Sequence, residues 1–389
     1  MEPAPIGRMV HPTAEAVSAS TGDLRRTFSF AGWTTAVSSN DPDVLQWLAE
    51  FLSPWLTVGD EPVCDYRLDF HVDRCGHEDV RGTVGTSPSR HAESFVRDGQ
   101  EVLYPVWSHS DGRETMVLDD VQVIYQLARL KHHVQILASA GAGRSRIAVM
   151  RAIRELLIVA LRARGALLIH GAAVAVGDRI VILAGPRHTG KTTLLLHLLL
   201  ALQGRLVAND RVFVWPEKNR FVALGVPTIV SLRPGTLEML PAVADRLANS
   251  GFAWPLARAE VGLQAAAPGR PNISPAQLCD LLGVEPSPGG PLAAIVFPTP
   301  APHDLLHVER LTGQAAVDAV AAAMFGGMGS WKTAGLWLDP SFEDRPRVTD
   351  THIRCAAMAA QVPVFACTIG PGVLANAPAL VDLVGSLIG

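Results

Sequence analysis

The amino-acid sequence predicts a mixed α/β protein in two parts: an α+β N-terminal domain over residues 26–144, then a phosphate-loop domain over residues 145–389. Three observations predict it. In the N-terminal part, segments of strand period alternate with a segment of helical period. Further on, "LLIHGAAVAVGDRIVILAG" holds two β-rich runs separated by Gly177-Asp178, a two-residue hairpin signal. The second run leads directly into "GPRHTGKT" and then a wholly apolar helix.

The elements follow in order. Residues 1–25 are rich in Pro, Ala and Ser and are expected to be frayed. "DPDVLQWLAEFLSPWL" reads as a helix capped by Asp41, with Val44, Leu45, Leu48, Phe51 and Leu52 on one face. "YRLDFHVD" and "EVLYPVW" read as half-buried strands. Ser145–Ala166 is an amphipathic helix, followed by the hairpin Leu167–Val176 and Arg179–Ala184. A helix Thr192–Leu202, a strand Gly204–Asp210 and a second hairpin, "RVFVW-PEKN-RFVALG", come next. Residues 240–290 give no clear assignment, whereas Pro291–Pro298 is a buried strand and Gly313–Phe325 a helix. "HIRCAAMAAQVPVFACTIG" reads as helix then strand, and "NAPALVDLVGSLIG" as a closing helix.

Bulk composition narrows the function class. At 389 residues the chain has room for two domains, and 48% hydrophobic content supplies cores for both. A net charge of −4 excludes an electrostatic footprint for nucleic acid. The 29 arginines against four lysines reflect nucleotide composition in the source rather than binding chemistry. Five widely spaced cysteines contain no CxxC pair, which argues against a disulfide framework and a zinc knuckle. Cys75-Gly76-His77 offers two metal-ligand types but no further pair. The first residues show no signal-peptide pattern, and Leu194–Leu202 is far short of the ~20 residues that span a bilayer. The expectation is a cytoplasmic protein without membrane or nucleic-acid partners.

Gly185-Pro186-Arg187-His188-Thr189-Gly190-Lys191-Thr192 satisfies G-x-x-x-x-G-K-[ST] in full, with Thr193 next. Such a loop needs glycines because its backbone turns tightly and presents N–H groups to phosphate oxygens. Lys191 would reach the β- and γ-phosphates, Thr192 would offer its hydroxyl to Mg²⁺, and the helix N-terminus would add its dipole. ATP or GTP is the expected ligand. Phosphoryl transfer also needs a carboxylate, and Asp210 ends the apolar strand "LVAND" about 20 residues beyond Lys191. His170 lies on the first arm of the hairpin, where a core histidine and a functional one are both open readings. His188 occupies a tolerant middle position of the loop.

The run from His170 to Val214 resembles the catalytic core of HPr kinase/phosphorylase: His-Gly on a strand, a hairpin into the phosphate loop, a helix, then a strand ending in two acids. Phosphoenolpyruvate carboxykinase shares that core. The resemblance implies an HPr-kinase-like domain that uses ATP and Mg²⁺, with Asp210 as base toward an acceptor hydroxyl and His170 beside the nucleotide. It also implies Lys191 on the phosphates and Thr192 with Asn209 and Asp210 at the metal. Two departures stand out. Asn209 replaces the first acid, and "FVALGVPTIVSLRPGT" holds no acid where the family has a glutamate. The phosphate-driven reverse reaction and HPr itself are therefore not implied. The flanking regions look more like the HPr-kinase-like proteins of peptide natural-product clusters, including lasso-peptide kinases that phosphorylate a precursor serine. The acceptor is a peptide or a small hydroxyl-bearing molecule, with a nucleotide-binding regulatory protein as the third reading. A homo-oligomer is possible, since HPr kinases are hexamers.

Overall fold

In the computed structural model, the residues described are 24–97, 100–140, 145–250, 271–325 and 348–388. The predicted frayed segment lies outside them except for Leu24 and Arg25, which begin a strand. Contacts divide the described chain into two compact units, one up to Ala160 and one from Leu161 onward.

In the first unit, β1 (Leu24–Phe30) and β2 (Trp33–Ser39) form a tight hairpin. Its corner residues Ala31 and Gly32 both take positive φ, the geometry that matches strand twist. Helix α1 (Pro42–Leu52) begins where sequence reading places it: Asp41 accepts from the Asp43 N–H and Pro42 fills the first turn. Its predicted apolar face, Val44 through Leu52, is buried. β3 (Thr57–Gly59) borders β1, and β4 (Tyr66–Val72) leads into α2 (Arg74–Thr83). A meander of β5 (Arg90–Arg97), β6 (Gln100–Ser108), β7 (Arg113–Leu118), β8 (Val123–Ala128) and β9 (His133–Ala138) completes a nine-stranded sheet. Its order is β3-β1-β2-β4-β9-β8-β7-β6-β5. The two predicted strands are β4 and β6. On α2 Cys75 is exposed while His77 is buried. Among the described residues no group of three or more His, Cys, Asp or Glu could hold a metal.

The parallel trio β2-β4-β9 buries a charge. Asp69 accepts hydrogen bonds from Ser38 Oγ, from Arg67 Nε at 2.9 Å and from His133 Nε2 at 2.8 Å. Burial disfavours its ionised form, but the bonds from His133, Arg67 and Ser38 outweigh that cost and hold its carboxyl far below the usual range. A folded-state pKa below the unfolded value of about 3.9 stabilises the unit above that pH. The contribution is lost as pH falls toward the folded value. Replacing Asp69 by Asn should cost about 2 kcal/mol at neutral pH and flatten the acid limb of a stability–pH profile measured by chemical denaturation.

Helix α3 (Ser145–Ala163) stops three residues before its predicted end. Gly165 takes φ +88 there, and the N–H of Ala166 closes on Leu161 O at 3.0 Å. In the second unit, β10 (Leu167–Val176) and β11 (Arg179–Ala184) pair antiparallel through Gly177-Asp178, as predicted. Then come α4 (Lys191–Leu202), β12 (Arg205–Ala208), β13 (Arg211–Glu217) and β14 (Arg220–Gly225). The turn between β13 and β14 is shorter than the expected "PEKN": Glu217 pairs across to Arg220, and Lys218 takes positive φ. A two-residue turn suits the strand twist better than four.

Beyond β14 lie β15 (Val230–Ser231), α5 (Pro234–Glu238), α6 (Pro241–Asn249), β16 (Asn272–Ile273) and α7 (Pro275–Leu282). The chain ends with β17 (Gly289–Pro300), β18 (Leu306–Leu311), α8 (Gly313–Ala322), α9 (Val348–Gln361), β19 (Val364–Ile369), α10 (Pro371–Leu374) and α11 (Ala377–Ile388). Strand pairing closes on itself here: β11-β10-β13-β14-β17 returns to β11 through a parallel pairing of β17 with β11. The loop strand is thus entered from a hairpin and also has a parallel neighbour more than 100 residues away. The middle of helix α4 is apolar because it is enclosed, with Leu194, Leu195, Leu196, Leu198 and Leu199 all buried, while Leu200 near its end is exposed. Each such side chain contributes about 1.5–3 kcal/mol by leaving water. Among the described residues no helix is long and apolar enough to cross a membrane.

Candidate phosphate-loop site

Strand β11 ends at Ala184, and the next residues depart from helix and strand geometry. Gly185 takes φ +130, His188 +70 and Gly190 +82. Gly190 is the N-cap of α4, so the first-turn N–H groups of that helix open onto the loop. Thr189 Oγ1 donates to Pro186 O at 3.0 Å and tightens the bend. Lys191 is largely buried. Its ammonium donates to Gly185 O at 2.8 Å and Pro186 O at 2.7 Å. Thr192 is half-buried in the first helical turn, and Thr193 Oγ1 meets Thr236 Oγ1 of α5 at 3.0 Å.

The carboxylate comes from the turn between β12 and β13. β12 ends at Ala208, leaving Asn209 and Asp210 outside the ladder. His170 and Arg211 are register partners across β10 and β13, which sets Asp210 beside the imidazole. His170 Nε2 lies 3.2 Å from Asp210 Oδ1, and the Gly171 N–H donates to Asp210 O at 3.0 Å. Arg211 Nε stands 3.7 Å from Asp210 Oδ2, with its guanidinium over the Phe325 ring. That ring also meets His170 edge-on at 5.3 Å. Desolvation opposes ionisation of Asp210, but the His170 hydrogen bond and the neighbouring charges of Arg211 and Lys191 prevail. They hold its carboxyl far below the usual range, so it is a carboxylate at any physiological pH. Of these influences that of Lys191 is the smallest.

Gly171 explains why a glycine follows the histidine. A Cβ there would sit 2.8 Å from Leu183 O, a backbone atom of the strand feeding the loop. Replacing Gly171 by Ala should push β11 away from β10 and destabilise the unit by about 1–3 kcal/mol. Thermal unfolding checks the loss, and nucleotide affinity should fall with it.

Asn209 is held at both ends of its amide. Thr228 Oγ1 donates to its Oδ1 at 3.0 Å, and its Nδ2 donates to Ile229 O at 3.3 Å. It therefore ties the turn to the segment after β14. An aspartate at position 209 would set a carboxylate oxygen against the Ile229 carbonyl. Replacing Asn209 by Asp should lower stability by about 1 kcal/mol, and Mg²⁺ should restore it if the position faces the metal. Thermal unfolding with and without MgCl₂ separates the two effects.

Sequence reading identified the loop, Asp210, Asn209 and His170, and the structure brings them into one region of the second unit. It did not find Arg211, Thr228, Arg233, Thr236 or Phe325. Arg211 adjoins Asp210 and was discoverable by that adjacency. Phe325 lies 155 residues from His170, and no periodicity links them.

No protein-family profile and no curated protein matches this chain. Among solved structures it is similar to the Hpr(Ser) kinase/phosphatase from Coxiella burnetii. The identity is 10%, covering 57% of this chain and 99% of that chain, with a TM-score of 0.25. A likeness at that level says nothing about the activity of this chain.

Proposed function

We propose that this protein is an ATP-dependent phosphotransferase of HPr-kinase-like type, moving the γ-phosphoryl group to a hydroxyl of a peptide or protein. One observation carries the reading: the strand beside the phosphate-loop strand carries a buried histidine, His170, whose Nε2 lies 3.2 Å from the Asp210 carboxylate. The donor set suits ATP and Mg²⁺. Glycines with positive φ and the open end of α4 supply N–H groups for phosphate oxygens. A magnesium ion needs only one or two protein oxygens when phosphates supply others. Thr192 Oγ1, with Asn209 Oδ1 or Asp210, would hold it. When bound, it would neutralise charge on the phosphate oxygens.

Lys191 would exchange its contacts with Gly185 O and Pro186 O for the β- and γ-phosphates. His170 orients Asp210 through the Nε2–Oδ1 contact. The acceptor oxygen attacks the γ-phosphorus, the bond from phosphorus to the bridging oxygen breaks, and ADP leaves with that electron pair. Asp210 takes the hydroxyl proton on a carboxylate oxygen. A weakly basic carboxylate is adequate because phosphoryl transfer passes through a loose transition state, where the proton leaves late. A second reading, a nucleotide-binding regulator with little transfer, is favoured by one observation: the Asn209 amide is already bonded at both ends.

Substituting Asp210 with Asn should leave ATP affinity within about threefold and reduce turnover at least 100-fold. Calorimetry and phosphate release, or phosphopeptide mass spectrometry, read the two quantities. Lost binding would make Asp210 a metal ligand, and unchanged turnover would place the base elsewhere.

A further inference from the structure

The segment after β14 carries a cation to the phosphate loop. Residues 221–236 contain one charged side chain, Arg233. Its guanidinium Nη1 lies against the ring of His188, 3.3 Å from Nε2 and closer to Nδ1. His188 is the loop residue with φ +70, at the apex of the phosphate-binding turn. Some arginines of this chain meet carboxylates, as Arg67 does Asp69 and Arg90 and Arg129 do Glu114, and others, such as Arg205 and Arg246, donate to backbone carbonyls. Arg233, half-buried, has no carboxylate partner among the described residues. A guanidinium that meets a loop side chain and remains open to solvent is available to an anion bound in the loop.

Its placement is rigid. Pro234 follows it, and Arg233 adopts the extended backbone that a following proline favours, φ −91 and ψ 150. On one side the segment is tied through Leu232 N to Pro271 O at 2.9 Å and through Thr228 to Asn209. On the other, Thr236 meets Thr193 in the first turn of the loop helix. The arginine is therefore delivered to the loop from a braced strand–turn–helix.

We propose that Arg233 is a phosphate-binding residue of this site, contacting the terminal phosphoryl oxygens of the bound nucleoside triphosphate. His188 is the resting partner that it leaves. The inference rests on the phosphotransferase reading and adds a contact to the γ-phosphoryl group, opposite in charge to the acid expected in this segment. A planar fork of donors matches that group and stabilises charge as it transfers.

The test compares ATP with ADP. Calorimetry on wild type, Arg233→Gln, Arg233→Lys and Lys191→Ala gives both affinities, and phosphate release gives intrinsic ATP hydrolysis. Arg233→Gln should weaken ATP at least tenfold, leave ADP within twofold and slow hydrolysis at least tenfold. Arg233→Lys should recover part of the ATP affinity, which a purely structural role would not show. Lys191→Ala should weaken both nucleotides. An unchanged ATP/ADP ratio in Arg233→Gln overturns the proposal while leaving the phosphate-loop reading intact. Failure of wild type to bind either nucleotide overturns that reading, and the proposal with it.

Discussion

The contact between His170 and Asp210 is the constraint on which the second unit's phosphate-loop region depends. It joins the strand beside the phosphate loop to the turn that carries the acid, and it does so across a register that only a few residues permit. β10 pairs with β11 and β12 along its second half and with β13 along its first half. His170 and Gly171 sit at that handover. The histidine reaches the acid because it belongs to the β13 half. The glycine lets β11 come close because it belongs to the other. Any side chain at Gly171 would meet the Leu183 backbone, so the two adjacent residues serve two different sheet pairings.

Electrostatics then gives the site its character. Asp210 loses hydration but gains a histidine hydrogen bond and two cationic neighbours, and the balance favours the charged form. Lys191 is similarly occupied, its ammonium satisfied by two loop carbonyls. Asp210 is thus held in place, whereas Lys191 would have to release two loop carbonyls to meet a phosphate.

The first unit applies the same physics without the loop. Asp69 is buried, ionised and satisfied by three side chains on three parallel strands. A charge so placed strongly prefers one strand register, since a slip of one residue would move Asp69 to the other face and leave it unpaired.

How much of this was legible in the sequence depends on the range of the interaction. The Asp41 cap, the apolar face of α1, the Gly177-Asp178 hairpin and the phosphate loop are set by neighbours within a turn or two, and periodicity and turn chemistry reveal them. The turn after β13 was misjudged by two residues because either length satisfies its composition. What tertiary structure alone decided is non-local: the parallel pairing of β11 with β17, the Phe325 ring under His170, the Asn209 tie to Thr228 and the approach of Arg233 to His188. No local preference encodes these, because each depends on how the strand circuit closes. The residues of the loop and the acid were therefore determined by the sequence by itself, whereas their meeting, and the arginine beside them, were decided only when distant strands were brought into one sheet.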